Sequence, residues 1–221
     1  MANLSRGESA RRTHMDELFE IDLSIPSSAN LQLADPSLLN FYHDLEQRIY
    51  WLTGTVADTT LDLVQYILKW NREDKGKPIE ERKPIKIIIF SEGGSMDVEE
   101  SIVSFIRLSK TPVYGIAVGM VASAASLIYL SCHKKFATDN AYFLLHKGSC
   151  RGLSGNYNEM EAFMADYQKQ VQKMVTFYVE NTKYTEEEVN KSINTDWYVR
   201  FPEALEKGLV DEMIHDIDFL L

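Results

Sequence analysis

The chain is short of what several common classes of protein require. Its 221 residues include two cysteines, Cys132 and Cys150, too few for a disulfide framework and in neither a CxxC nor a metal-spaced pattern. They read as buried or spare thiols in a reducing compartment. Basic charge is also scarce: 23 Lys+Arg against 33 Asp+Glu leave a formal charge of −10. Nothing supplies the clustered cations that a phosphate backbone needs, so nucleic acid is not an expected partner. The first twenty residues, MANLSRGESARRTHMDELFE, carry charges throughout and lack the apolar run of a secretory signal, which points to the cytoplasm. Thr111 to Cys132 is uncharged, but it opens with Pro112, runs through the β-prone VYGIAV and passes Gly119 into Ala and Ser. That pattern reads as a buried strand turning into a buried helix, and no membrane contact is expected.

What is present is ample material for a core: 45% hydrophobic residues, 11% aromatic. A disordered chain is excluded, and the length suits one domain with an extension. The polar, irregular residues 1–34 read as a flexible arm or propeptide-like segment, leaving 35–221 as the folded domain. There, Asp35-Pro36 offers a cap and first-turn proline for a helix over Ser37–Gln47. Strands follow at Arg48–Thr53, Ile85–Phe90, Val113–Val118 and Phe136–Leu145. Between them lie helices from Asp58, from Asp97 with Glu100 as a capping box, and over Ala122–Leu130. Strands alternating with helices imply βαβ units and an α/β fold. Beyond His146, Met160, Phe163, Met164, Tyr167, Val171, Met174, Val175 and Tyr178 recur at steps of three and four. Such a stripe either lies on the sheet or projects to meet another subunit. Thr185 caps a last short helix.

The chemistry-bearing residues gather where strands end, the usual place for a site in an open α/β sheet. Ser123, in GMVASAAS, stands just past a buried strand at the start of a helix, where free N–H groups can stabilise an oxyanion. The segment resembles a nucleophile elbow without its GxSxG form, and close helix packing alone would also explain the small residues. A serine needs a base, and His146 directly follows the strand ending at Leu145. His14, His43, His133 and His215 are placed less well. A carboxylate should orient the ring: Asp196 lies in a non-helical stretch, and Asp139 and Asp166 remain open. Gly93-Gly94 ends the Ile85–Phe90 strand and allows a backbone N–H to turn into the cleft.

With these pieces assembled, the chain resembles the proteolytic subunit of the Clp protease, the ClpP/crotonase-like fold of repeated ββα/βαβ units with a protruding handle helix. The resemblance runs from about Leu45 to Ile214 through SEGG at Ser91–Gly94, GMVASAAS at Gly119–Ser126, FLLH ending at His146, and FPEALEKGLVDEMI from Phe201. It implies Ser123 as nucleophile, His146 as base, Asp196 as orienting acid, and the backbone N–H groups of Gly94 and Ala124 as oxyanion donors, with no metal or organic cofactor. It implies unfolded polypeptide as substrate, stacked heptameric rings with the Met160–Tyr178 helix as ring-to-ring handle, and an ATP-driven AAA+ unfoldase as partner.

Departures are equally visible. Glu92 stands where the family usually has Pro, His146-Lys-Gly replaces HQP, and Asn194 and Thr195 precede Asp196 where an Asp-Arg ring link is usual. Lys86 and Ile88 occupy the usual tyrosine positions of the unfoldase docking surface. The expected activity is serine endopeptidase chemistry. The alternatives are a catalytically silent scaffold or regulator of an active paralogue, and a crotonase-type acyl-CoA enzyme, which would not need all three triad positions.

Overall fold

The computed structural model describes residues 36–148 and 154–220. The expected N-terminal arm, the Asp35 cap and Cys150 lie outside the described residues. After α1 (Pro36–Glu46), β1 (Ile49–Val56) leads through a 3-10 turn at Asp58–Leu61 into α2 (Asp62–Glu73). Then come β2 (Ile85–Gly94), α3 (Met96–Leu108), β3 (Val113–Ala122) and α4 (Ala124–Leu130). Strands β1, β2 and β3 pair in parallel, as βαβ alternation requires. The chain is mixed α/β with a seven-stranded sheet in which β2 lies between β1 and β3.

Two strands run further than their apolar stretches suggest. β2 continues through Ser91–Gly94 because its backbone keeps pairing with β1 past a bulge at Thr53/Thr55, so SEGG is strand rather than a turn after one. β3 likewise reaches Ala122. The single strand expected over Phe136–Leu145 is two: β4 (Lys134–Ala137) and β5 (Tyr142–Leu145), separated at Thr138–Asn140. Both lie on one flank of β3, β4 beside Tyr114–Ala117 and β5 beside Met120–Ala122. The break lets one long strand hold two short ones in succession. Helix α3 is also capped differently: Ser95, not Asp97, is its N-cap, accepting from the Val98 N–H at 3.4 Å. The Asp97–Glu100 capping box does not form.

The continuous Ile87–Ile89 run is explained by burial on both faces of the sheet, and that burial ends at the half-exposed Phe90. On one face, Ile85, Ile87 and Ile89 join Ile102, Ile106, Ile128 and Tyr129 under the helices. On the other, Ile49, Ile88, Ile116 and Phe136 form a smaller cluster covered by Tyr114, Val118, Ile214, Phe219 and Leu220. Thr111–Cys132 is divided between β3 and α4, and no described helix is long and apolar enough to cross a membrane.

The long helix, α5 (Tyr157–Asn181), divides the two accounts of its stripe between its ends. Met174, Val175 and Tyr178 are buried in the core, whereas Met160, Phe163 and Met164 are exposed. Thr185 caps α6 (Glu186–Ser192) with a capping box to Glu188. β6 (Trp197–Arg200) pairs antiparallel with β5, and α7 (Phe201–Glu206), which periodicity did not suggest, precedes β7 (Glu212–Met213).

Candidate active site

Ser123 occupies the corner between β3 and α4 with φ 53 and ψ −127, a conformation that costs a non-glycine residue on the order of 1–3 kcal/mol. The surroundings enforce it. Its N–H donates to the Leu144 carbonyl at 2.8 Å, and its own carbonyl accepts from the Ser126 N–H at 2.9 Å and the Ser126 hydroxyl at 2.6 Å. The Ser126 hydroxyl lies 3.2 Å from the Tyr178 hydroxyl, so the buried half of α5 braces the corner. Ser126 is itself fully buried and committed to these bonds, unlike Ser123. Leu144, Ser126 and Tyr178 carry no chemical signature in sequence, and only the fold assigns them to this site.

Because Ala122 pairs with Leu144, the ends of β3 and β5 adjoin, and His146 is delivered to the serine. Its Nε2 stands 2.7 Å from Ser123 Oγ. The loop beyond is held by the Tyr167 hydroxyl, which donates to the Lys147 carbonyl at 2.8 Å, and by the Lys147 N–H, which donates to the Ile193 carbonyl at 3.2 Å.

The diglycine approaches from β2. A Cβ at Gly93 would sit 2.7 Å from Ser123 Cβ and 2.9 Å from the Ala124 nitrogen, and one at Gly94 would collide with the Val56 carbonyl. Both glycines also have positive φ, so no other residue fits either position without displacement. The Gly93 N–H donates to Ser91 Oγ at 3.0 Å, and that hydroxyl donates to the Gly54 carbonyl. Ala124 begins α4, where N–H groups have no acceptor within the helix. Ser123, His146, Gly93, Gly94 and Ala124 line a cleft of about 280 Å³. Glu92, in place of the expected proline, is at its rim, where a hydrogen bond from Thr55 holds its carboxyl below the usual range.

The three candidate acids are placed differently. Asp196 immediately precedes β6, whose first residue Trp197 pairs with Leu145, the residue before His146. Asp196 is exposed there, and among the described residues no hydrogen bond joins it to the ring. Asp139 lies before the start of β5, and four strand residues, roughly 13 Å at about 3.3 Å each, separate it from the histidine end. Asp166 is engaged on α5 by the Gln170 amide at 2.8 Å. Among the described residues, no group of three or more His, Cys, Asp and Glu side chains is placed to hold a metal. Cys132 is buried, its thiol pushed up to about 12 by that burial, and is not a nucleophile.

Residues 37–216 match the family model of the Clp protease. The chain belongs to the Clp protease family. It is 35% identical to the ATP-dependent Clp protease proteolytic subunit 2 of Treponema denticola over 133 residues, 59% of this chain and 66% of that one. It is 28% identical to proteolytic subunit 1 from Chlamydia muridarum over 141 residues, 62% of this chain and 73% of that one. A ClpP1 mutant from Listeria monocytogenes has the same fold, with a TM-score of 0.70 and 23% identity over 82% of this chain and 99% of that chain. This is a ClpP-type chain, and the aligned stretch spans about two thirds of the length of those Treponema and Chlamydia relatives.

Proposed function

We propose that this chain is a serine endopeptidase that cleaves unfolded polypeptides. The observation that carries the reading is the 2.7 Å contact between His146 Nε2 and Ser123 Oγ at a strained strand-to-helix corner. His146 removes the hydroxyl proton as Ser123 attacks the peptide carbonyl, then returns it to the leaving amine, and water repeats the cycle on the acyl-enzyme. The N–H groups of Gly94 and Ala124 receive the oxyanion. The commitment of the Gly93 N–H to Ser91 favours Gly94 as the donor from this pair. Asp196 is assigned to orient the imidazole from its position just before β6. No cofactor takes part.

The relatives' role as proteolytic subunits supports the substrate class, and the apolar, exposed first half of α5 supports self-association into stacked heptameric rings. Lys86 donates to the Phe219 carbonyl at 2.8 Å and Ile88 is buried, so both positions serve the covering of the second cluster. Partnership with an AAA+ unfoldase therefore rests on the family alone.

The test is labelling with a fluorophosphonate probe and peptide mapping, on material whose mass is read by light scattering. The expected result is modification at Ser123 in an assembly many times the 25.3 kDa chain. Ser123→Ala should lose labelling and at least about a thousandfold in peptide hydrolysis while keeping its assembly. An assembled but unlabelled protein would instead be a silent scaffold.

A further inference from the structure

Glu99 is the charged member of an otherwise apolar face of α3, in line with Ile102, Val103 and Ile106, and is only 5% exposed. Its carboxyl makes no hydrogen bond or ion pair among the described residues. The nearby cations are engaged elsewhere: Lys173 Nζ donates to Glu100 at 2.7 Å, and the Arg107 guanidinium lies 4.6 Å over the Phe177 ring. Glu99 instead borders a cavity of about 120 Å³ between α3, α4 and α5. Its oxygens are not sealed in protein, since no fully buried side-chain polar atom among the described residues lacks a partner. Met96, Leu127 and Met174 line both this cavity and the catalytic cleft, so the two adjoin at these three side chains. Burial pushes the Glu99 carboxyl up to about 8. A carboxyl this buried, unpartnered and facing a cavity beside a nucleophile is suited to a group that enters with the substrate.

We infer that this cavity receives the side chain on the acyl side of the scissile bond, and that Glu99 selects lysine or arginine there. The inference rests on Ser123 acting as the nucleophile. The side chain nearest the attacked carbonyl is the one that can turn into a pocket sharing three walls with the cleft. A long cationic side chain suits both parts of it, with its methylenes along Met96, Leu127 and Met174 and its charge at Glu99. Such a charge converts the buried carboxyl from an unpaired group into half of a charge-assisted hydrogen bond. An apolar side chain of similar length would fill the same walls but close Glu99 off from any partner, at a cost that disfavours it. A neutral amide could bond to Glu99 but gains nothing from its charge.

The experiment measures inactivation rates with peptidyl diphenyl phosphonates that carry lysine, arginine, leucine or glutamine next to phosphorus. A simple fluorophosphonate serves as the reactivity control. The expected result is that lysine and arginine reagents react at least about tenfold faster than leucine or glutamine, and that Glu99→Gln abolishes this preference when each rate is taken relative to the fluorophosphonate rate of the same protein. Labelling of Ser123 by the fluorophosphonate without a cationic preference, or a preference that survives Glu99→Gln, overturns the pocket and leaves the peptidase reading standing. No fluorophosphonate labelling in assembled protein overturns both. If Glu99→Gln does not fold, the wild-type rates still decide, because leucine reacting as fast as lysine rules the pocket out.

Discussion

Asp74 and Glu99 are both buried carboxylates, one at the end of α2 and the other on α3, and their surroundings are opposite. Asp74 is wholly enclosed and saturated with donors. Arg48 approaches it with both terminal nitrogens, Nη1 at 2.5 Å and Nη2 at 3.0 Å, Thr111 donates at 3.0 Å and Lys77 at 2.9 Å. Arg48 also donates to the Lys83 carbonyl at 2.9 Å, so the cluster fastens the start of β1 to the loop before β2. The Arg48 hydrogen bonds hold the Asp74 carboxyl far below its usual range. Glu99 has no such donors, and burial moves it the other way. A buried charge with all its partners in the chain belongs to the fold, whereas one facing a cavity without a partner is available to a ligand.

The largest effect should come from breaking the first region. Asp74→Ala leaves the Arg48 guanidinium buried without its main partner, and the expected loss is about 3–5 kcal/mol by urea denaturation. Arg48→Met combined with Asp74→Leu should cost less than either single change, because no lone charge remains. If the double variant is as unstable as the sum of the singles, the pair is not acting as a unit.

A smaller effect of opposite pH dependence is expected at Glu99. Its value in the folded protein lies above the ordinary 4.5, at about 8. The stability associated with its protonated form is therefore complete below about 4.5 and is lost as pH rises toward 8. Asp74, displaced downward, contributes stability above its ordinary 3.8 that is lost on acidification. Glu99→Gln should match wild type near pH 5 and be more stable by about 1–3 kcal/mol near pH 8, at about 1.4 kcal/mol per pKa unit. Glu100, Lys173, Arg107 and Tyr178 also surround this carboxyl. A stability difference that does not grow with pH would mean that these neighbours hold it in its ordinary range.

The two regions also differ in how far they could be read from sequence. Neither partner in Arg48–Asp74 is marked locally, since 26 residues separate them and only sheet formation brings them together. Glu99 does leave a trace, a charge three, four and seven residues before Ile102, Val103 and Ile106 on a core stripe. The neighbouring Glu100, expected in a capping box with Asp97, takes no part in the cap, which belongs to Ser95. Ser123 and His146 were legible because each follows an apolar strand and the ends of those strands adjoin. The extra length of β2 and the division of β4 from β5 were not, because backbone pairing to a neighbour decides them. The stripe on α5 was visible throughout, but its division into buried and exposed halves depends on where the helix leaves the sheet.

The smallest effect should come from a third carboxylate, which separates a lowered pKa from a contribution to stability. Glu188 is held down to about 2, first by the Lys207 ammonium at 2.8 Å and then by the Thr185 N–H and hydroxyl. Like Asp74 it is displaced downward, but it stands on the surface at the start of α6, where water and salt screen the pair. Lys207→Met should therefore leave the thermal midpoint within measurement scatter, at low salt and at 1 M salt alike. The Lys207 ammonium also sits 4.8 Å over the Tyr184 ring, so Lys207→Met removes this exposed cation–π contact together with the ion pair. A destabilisation approaching that of Asp74→Ala would show that donors to a carboxylate, rather than its enclosure, set its worth to the fold. The distinction between Asp74 and Glu99 would then have to be drawn from hydrogen bonding alone.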